Sequence, residues 1–179
     1  IAPVAEILGE LTSEFGTFAC LGKQDHWTDA KLVTTEFRRN GINVLINEGL
    51  RLDAKNDSFW LCGVDDYGEG LSNVGKSLRG AKSDEMKLLL AHNPAIMRRA
   101  AYRNIDLVLS GHTHGGQVKL REPREKFLFP NRRRKFSSGL HYRQETQIYI
   151  TRGIGTVVVP MRYQCPPEIT VLELRATSI

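Results

Sequence analysis

Residues 105–117 carry the stretch IDLVLSGHTHGGQ, a mostly apolar run that leads through serine and glycine into two histidines. Such a run is typical of a strand buried on both faces of a sheet. Glycines flank the histidine pair, and glycine adopts backbone conformations that other residues avoid. Ligands of open α/β sheets bind outside the carboxyl ends of the strands. The stretch therefore predicts a buried strand that delivers His112 and His114 to a ligand site.

A second stretch also has an apolar run that is followed by a histidine. Leu88–Ala91 is entirely apolar, His92 follows it, and Pro94 opens a basic helix that reaches Arg103. Imidazole is the commonest neutral metal ligand, so three histidines at two strand ends indicate a metal site. His26 and His141 lack this context, and we interpret them as surface or hydrogen-bonded residues.

The remaining periodicity predicts an α/β protein with packed sheets between helices. Strand and helix patterns alternate in the first part of the chain, and strand patterns dominate the last part. Helices are predicted over 4–15 and 30–40, the latter with Leu32, Val33 and Phe37 facing inward. Strands are predicted at 17–21, 44–46, 88–91, 105–109, 147–151, 156–159 and 169–174, with a hairpin through 51–57 into 59–64.

Composition excludes several classes of protein. The chain has 179 residues, 41% of them hydrophobic and 25% charged, which is ordinary for a globular domain and excludes collagen-like and disordered chains. Three widely spaced cysteines without a CxxC pair indicate neither a disulfide framework nor a zinc ribbon. No apolar run approaches the ~20 residues that span a bilayer.

Longer motifs give the chain a family resemblance. Residues 90–94 (LAHNP), 109–117 (LSGHTHGGQ), 149–156 (YITRGIGT) and 165–170 (CPPEIT) stand in the order found in calcineurin-like metallophosphoesterases. Asn47-Glu48 and Gly63-Val64-Asp65-Asp66 also fit. The chain resembles that superfamily over nearly its whole length, and more narrowly the bacterial membrane-associated phosphoesterases of the YkuE and YaeI type.

The resemblance implies a four-layer α/β/β/α fold, in which a two-sheet β-sandwich is flanked by helices. It also implies two divalent metal ions, such as Mn, Fe or Zn, with His92 and His112 as ligands of one and His114 as a ligand of the other. A hydroxide that bridges the metals would then hydrolyse a phosphomonoester or phosphodiester. In the family Asp65-Asp66 lies in a turn, and we expect no ligand role for it.

The chain departs from the family pattern at two places. Gly22-Lys23-Gln24-Asp25 stands where the family has Gly-Asn-His-Asp, so only Asp25 of its polar residues is retained. Lys23 has no acceptor and cannot replace a ligand asparagine, and Gln24 cannot exchange protons as a histidine does. The family's earlier Asp-x-His and Gly-Asp motifs do not occur. We therefore expect a single domain over 1–179 that is incomplete at its N-terminus, lacks the first strands and has reduced or altered activity.

The net charge of +5 is concentrated in one segment, residues 119–135, which has eight basic and two acidic residues. Its core, Arg132, Arg133, Arg134 and Lys135, is either a contact for an anionic membrane or substrate or a solvated loop. The alternative function is accordingly a catalytically degenerate binding module that contacts anionic lipid or a partner through this segment.

No nucleic-acid-binding module is recognisable. The predicted location is cytoplasmic or peripheral to a membrane, with an N-terminal signal or anchor left open, and the oligomeric state is not predicted.

Overall fold

The fold is built on two sheets, seen in a computed structural model that describes residues 1–54, 57–119 and 137–175. The helices are α1 (Ala2–Gly9), α2 (Lys23–Thr28), α3 (Ala30–Arg39), α4 (Val74–Ser77) and α5 (Met97–Tyr102). The strands are β1 (Thr17–Ala19), β2 (Ile42–Val44), β3 (Glu48–Ala54), β4 (Asp57–Gly63), β5 (Met86–Leu90), β6 (Leu107–Ser110), β7 (Gly139–Arg143) and β8 (Thr146–Ile150). Short 3₁₀ turns cover Pro94–Ile96 and His114–Gly116.

The larger sheet has the strand order β3-β4-β5-β6-β8-β7. Its four central strands run parallel, and β3 and β7 pair antiparallel at the edges. Gly63 of β4 stands opposite Leu90 of β5, and Leu90 stands opposite Leu109 of β6. The carboxyl ends of these three strands are therefore level with one another.

Both faces of the larger sheet are covered. Leu61, Leu88 and Leu107 join one apolar cluster, whereas their chain neighbours Cys62, Leu89 and Val108 join another. Because successive side chains of a strand point to opposite faces, this division shows that the central strands are buried on both sides. The apolar runs in the sequence predicted this arrangement.

The smaller sheet consists of β1 and β2 in parallel, with Val44 and Leu21 packed against Val33 of α3. Just after β2, the Leu45 N–H donates a hydrogen bond to the Ala19 carbonyl of β1 at 2.8 Å. A mixed α/β chain with a six-stranded and a two-stranded sheet flanked by helices fits the calcineurin-like fold that the resemblance implies.

Two predicted strands are wrong. Residues 156–159 and 169–174 are irregular, although their sequences are rich in β-branched residues. The backbone of the first segment is satisfied by a side chain instead of a strand. The Gln117 amide donates to the carbonyls of Val157 and Val159 at 3.0 and 2.8 Å and accepts from Val157 N–H at 2.8 Å.

Smaller differences concern the helices. The helix α1 ends at Gly9 instead of continuing toward Phe15, and only Ala5 of it is buried. In α3 Val33 faces the core as predicted, but Leu32 is exposed because its Cα lies on the next face of the helix.

Candidate metal centre

Three polar segments meet at the level carboxyl ends of the central strands. Asp65 follows β4 by two residues, His92 follows β5 by two, and His112 follows β6 by two. The strands are neighbours in register, so these residues occupy one edge of the sheet. The structure thus brings His92 and His112 together, as their positions after two buried strands predicted.

The two imidazoles converge through specific ring atoms. Nδ1 of His112 lies 3.3 Å from Nε2 of His92, and the rings meet edge to face at 75° with centroids 5.1 Å apart. Two nitrogens bound to one tetrahedral zinc at 2.0–2.1 Å would be separated by about 3.3 Å. The spacing of this pair therefore suits two ligands of one cation.

Both rings favour the neutral form that a metal ligand needs. Burial lowers the pKa of His92, and the neighbouring His112 lowers it further, whereas Asp66 and Asp25 act in the opposite direction. Burial also lowers the pKa of His112, with Asp66 opposing the effect. At neutral pH each imidazole therefore keeps an unprotonated nitrogen available for coordination.

Close packing fixes the position of His92. Gly22 lies against its ring, and a Cβ at that glycine would stand 2.7 Å from the His92 Cγ atom. The buried Ser110 hydroxyl donates to the Ala91 carbonyl at 2.6 Å and lies 3.0 Å from the His92 carbonyl, which also accepts from Gly111 N–H at 3.1 Å. The Gly22 loop and the end of β6 together leave His92 little freedom.

The turn that carries His112 and His114 has an unusual backbone. Both histidines have positive φ, 66° and 52°, and Gly115 follows at 61°. Non-glycine residues in this region cost on the order of 1–3 kcal/mol and cluster at functional sites. Gly115 is required by its surroundings, because a Cβ there would overlap Cγ of Arg152. His114 Nδ1 lies 3.1 Å from the Gly155 carbonyl oxygen.

The segment that departs from the family pattern forms the start of α2. Asp25 accepts from Gly22 N–H at 2.8 Å and so caps this helix. Lys23 is half-buried, its Nζ lies 4.3 Å from the centroid of the Trp27 ring, and its charge contributes to the lowered pKa of His112. Gln24 is exposed. Thus Asp25 holds the loop that touches His92, and Lys23 places a positive charge within range of His112.

His26, interpreted from sequence as a surface or hydrogen-bonded residue, is hydrogen-bonded. Its Nε2 lies 2.6 Å from Oδ1 of Asp65, and both side chains are largely buried. The same oxygen accepts from Asp66 N–H at 2.8 Å. The pair fastens α2 to the end of β4 and thereby holds the Gly22 loop against the sheet edge. His141 lies apart on β7, with Nε2 3.0 Å from the Ser138 carbonyl.

Asp66 acts on the two histidines through its charge, and nothing in the described part of the chain gives it the ligand role that we did not expect from the sequence. It is only 1% exposed; Oδ1 accepts from Glu69 N–H at 2.9 Å, and Oδ2 has no hydrogen-bond partner among the described residues. Burial lowers the pKa of both His92 and His112, and the negative charge of Asp66 partly opposes that lowering. The sequence signal was present, since Asp65-Asp66 follows a strand that is buried like those before the histidines.

The donor set fits one cation in part. His92 and His112 offer two converging nitrogens, but the described residues contain no group of three or more histidine, cysteine, aspartate or glutamate side chains arranged to hold a metal ion. Two imidazoles suit zinc or nickel better than magnesium or calcium, which prefer oxygen. Asp25, Lys23 and Gln24 add no ligand to the pair in this arrangement.

The predicted membrane contact falls mostly outside the part of the chain that the structure describes. Of the basic segment 119–135, Lys119 alone is described, and Arg132, Arg133, Arg134 and Lys135 are not. Their role stays a prediction. In the three described ranges no helix is both long and apolar enough to cross a membrane.

Comparison with known proteins gives several relatives with consistent names. The chain is 34% identical over 176 residues to phosphodiesterase YaeI of Escherichia coli, a match that covers 95% of this chain and 62% of YaeI. It is 34% identical over 187 residues to the bovine transmembrane protein with metallophosphoesterase domain, covering 94% of this chain and 41% of that protein. It is 28% identical over 184 residues to the uncharacterized metallophosphoesterase YkuE of Bacillus subtilis, covering 98% and 62%. No family model and no solved structure matches.

The fold and the sheet-edge histidines define an α/β protein of the calcineurin-like type, a class whose members use divalent metal cofactors. The names of these relatives support the metallophosphoesterase superfamily as the family of this chain. It spans about three-fifths or less of the length of the relatives described above.

Proposed function

We propose that residues 1–179 form one metallophosphoesterase domain whose site acts on a phosphate ester with the help of divalent metal ions. The observation that carries the proposal is the 3.3 Å approach of His112 Nδ1 to His92 Nε2 at the carboxyl edge of the parallel strands. The names of the relatives support the reaction class, and the phosphoester substrate follows from that class.

In this proposal His92 and His112 hold one cation, and His114 turns toward a second cation or toward the substrate. A bound divalent ion would supply charge neutralisation for the phosphoryl oxygens. The chain's own residues prepare the site: Gly22 and Ser110 fix His92, and Asp66 places a buried negative charge near both rings. Manganese, iron and zinc are the candidate metals, and the imidazole pair favours zinc among them.

The residues that replace the family's Asn-His pair reduce the expected activity. The Lys23 ammonium repels a cation near His112, and the exposed Gln24 cannot supply a proton to a leaving group. We therefore expect weak metal binding and slow hydrolysis from this chain.

The test is a titration of the full chain with zinc, nickel and manganese by isothermal calorimetry, followed by hydrolysis of bis(p-nitrophenyl) phosphate with each metal. His92→Ala and His112→Ala should each abolish zinc binding. His141→Ala, which alters a histidine on β7, should bind zinc like the unmodified chain. Zinc binding that survives both site substitutions would contradict the assignment of the ligands, and the absence of any hydrolysis would contradict the enzymatic part.

A further inference from the structure

One arginine organises the segments around His114. Arg162 is half-buried, and its guanidinium faces a set of main-chain carbonyl oxygens. Nη1 donates to His114 O at 3.1 Å, and Nη2 donates to Arg152 O, Gly153 O and Gly155 O at 2.8, 3.0 and 2.6 Å. Nε donates to Gly155 O at 3.2 Å. The guanidinium thus joins the His114 turn to the segment 152–155 that follows β8.

The Gly155 carbonyl connects Arg162 to the His114 ring. This oxygen accepts from Arg162 and also lies 3.1 Å from His114 Nδ1. A carbonyl oxygen can only accept, so the contact requires a proton on Nδ1. In the neutral ring the lone pair is then on Nε2, which becomes the nitrogen available for coordination.

Few other side chains could make the hydrogen bonds that the Arg162 guanidinium makes. Arginine presents five N–H donors in a planar fork, and here they reach carbonyls of two separate segments. Cys165, which is buried, adds weaker contacts from Sγ to His114 O and Gly115 O at 3.4 and 3.3 Å. His114 itself has positive φ, so its turn needs such external support.

We propose that Arg162 is a positioning residue for His114: it fixes the turn and holds the Gly155 carbonyl so that the His114 ring is protonated on Nδ1 and presents Nε2 to the metal centre. The proposal rests on the proposed function for the role of Nε2 as a ligand. The tautomer itself does not depend on that function, and the two can be tested separately.

The primary test is long-range ¹H–¹⁵N NMR of the full chain labelled with ¹⁵N-histidine, with the His114 signals assigned by His114→Asn. The unmodified chain should show a protonated Nδ1 and an unprotonated Nε2. In Arg162→Met the Gly155 carbonyl loses its anchor, and the signals should move to a mixture of tautomers. An unchanged tautomer in a folded Arg162→Met chain would overturn the proposal.

Arg162→Lys is the second test variant and is used if the Arg162→Met chain does not fold. Lysine has three donors at a single point and can reach only part of the carbonyl set, so an intermediate tautomer population is expected. Arg51→Met is the matched control. Arg51 is also partly buried and bonds Glu85 and the Gly80 carbonyl, but it lies on β3. Arg51→Met should leave the His114 signals unchanged.

A second measurement follows zinc affinity in the same variants. Loss of a residue that orients a metal ligand typically lowers affinity 10- to 100-fold, and we expect a decrease of about that size for Arg162→Met. Equal zinc affinity despite an altered tautomer would refute the link to the metal centre. If the unmodified chain binds no zinc while the tautomer still depends on Arg162, the positioning role stands and the proposed function fails.

Discussion

At the scale of single residues, the candidate site depends on steric fit as much as on ligand chemistry. His92 is held by a glycine that leaves no room for a side chain, and His112 and His114 occupy backbone conformations that few residues adopt. Lys23 acts through charge, because its ammonium lies within electrostatic range of His112. Each effect can be isolated by one substitution.

Lys23→Asn should strengthen metal binding. The change removes a positive charge near His112 and introduces an amide oxygen that can coordinate a cation. Removing charge repulsion on the order of 1 kcal/mol predicts about fivefold tighter zinc binding by calorimetry. Lys31→Asn, an equal change of charge at an exposed position of α3, should have no effect. Unchanged zinc affinity in Lys23→Asn would show that the ammonium does not act on the site.

Gly22→Ala should displace His92. The new methyl group would stand within 2.8 Å of three ring atoms, so the His92 ring must move. Its Nε2 would then lie farther from Nδ1 of His112, and the two nitrogens could no longer bind one zinc ion. Overpacking of this kind costs about 1–3 kcal/mol of unfolding free energy. Zinc competition against a chromogenic chelator and thermal denaturation measure the two effects.

The control for that substitution is Gly111→Ala, whose Cβ would meet only Thr151 Cγ2 at an ordinary 3.8 Å. It should keep both stability and zinc affinity close to those of the unmodified chain. If Gly22→Ala behaves in the same way as this control, close contact does not determine the position of His92.

At the scale of elements, the irregular segment after β8 is held by side chains instead of a strand ladder. Glu168 accepts from Tyr149 OH and Thr170 Oγ1 at 2.8 and 2.7 Å, and Arg152 Nε donates to its other oxygen. These bonds, from Thr170 and Tyr149 first and then from Arg152, lower the pKa of Glu168 to about 2. The carboxylate therefore ties β8 to the segment 151–170.

This lowered pKa predicts a specific acid dependence of stability. An unperturbed glutamate in the unfolded chain titrates near 4.5, whereas the folded group titrates near 2. The stabilisation from Glu168 is therefore fully present above about pH 4.5 and is lost as the pH falls toward 2. Glu168→Gln should have lower stability at neutral pH and a shallower decline over that interval, measured by urea denaturation.

Glu173→Gln is the control, because that glutamate is exposed and bonds only Arg175 among the described residues. Its stability should follow the pH dependence of the unmodified chain. A Glu168→Gln chain with the same acid profile would contradict the assigned role of the carboxylate.

At the scale of the whole molecule, the sequence predicted the fold class, the burial of two central strands on both faces and the meeting of His92 with His112. These follow from apolar runs and from the rule that parallel strands end at a common edge. Residues 156–159 escaped prediction because a distant side chain, Gln117, satisfies their backbone. The contacts of Arg162 could not be predicted because its partners are main-chain carbonyls, which a sequence does not display, whereas the position of Asp66 after a buried strand was visible in the sequence.

The whole molecule also exposes apolar side chains in the irregular segment 154–174. In the segment 154–174 the exposed side chains include Val158 at 99%, Val171 at 92% and Ile169 at 86%. Exposed apolar side chains of this size favour association when they form a common surface. We expect the chain to self-associate with rising concentration in sedimentation velocity, and the double substitution Ile169→Lys with Val171→Lys to shift it toward the monomer.

Tyr102→Lys provides the comparison, since Tyr102 is 82% exposed but lies on α5, outside this segment. It should leave the concentration dependence of sedimentation unchanged. A double variant that associates as strongly as the unmodified chain would show that the segment 154–174 is not the contact.

The hydrogen-bond partner of the His114 ring, the Gly155 carbonyl, determines which substitutions the site can accept. The accepting atom is a main-chain oxygen, which no amino-acid substitution at position 155 removes. An alanine at position 155 would keep this oxygen and would place its methyl group 4.0 Å from His114 Cε1, which is ordinary contact. The donor at position 162 is a side chain that one substitution does remove, so Arg162→Met should alter the His114 ring whereas Gly155→Ala should not.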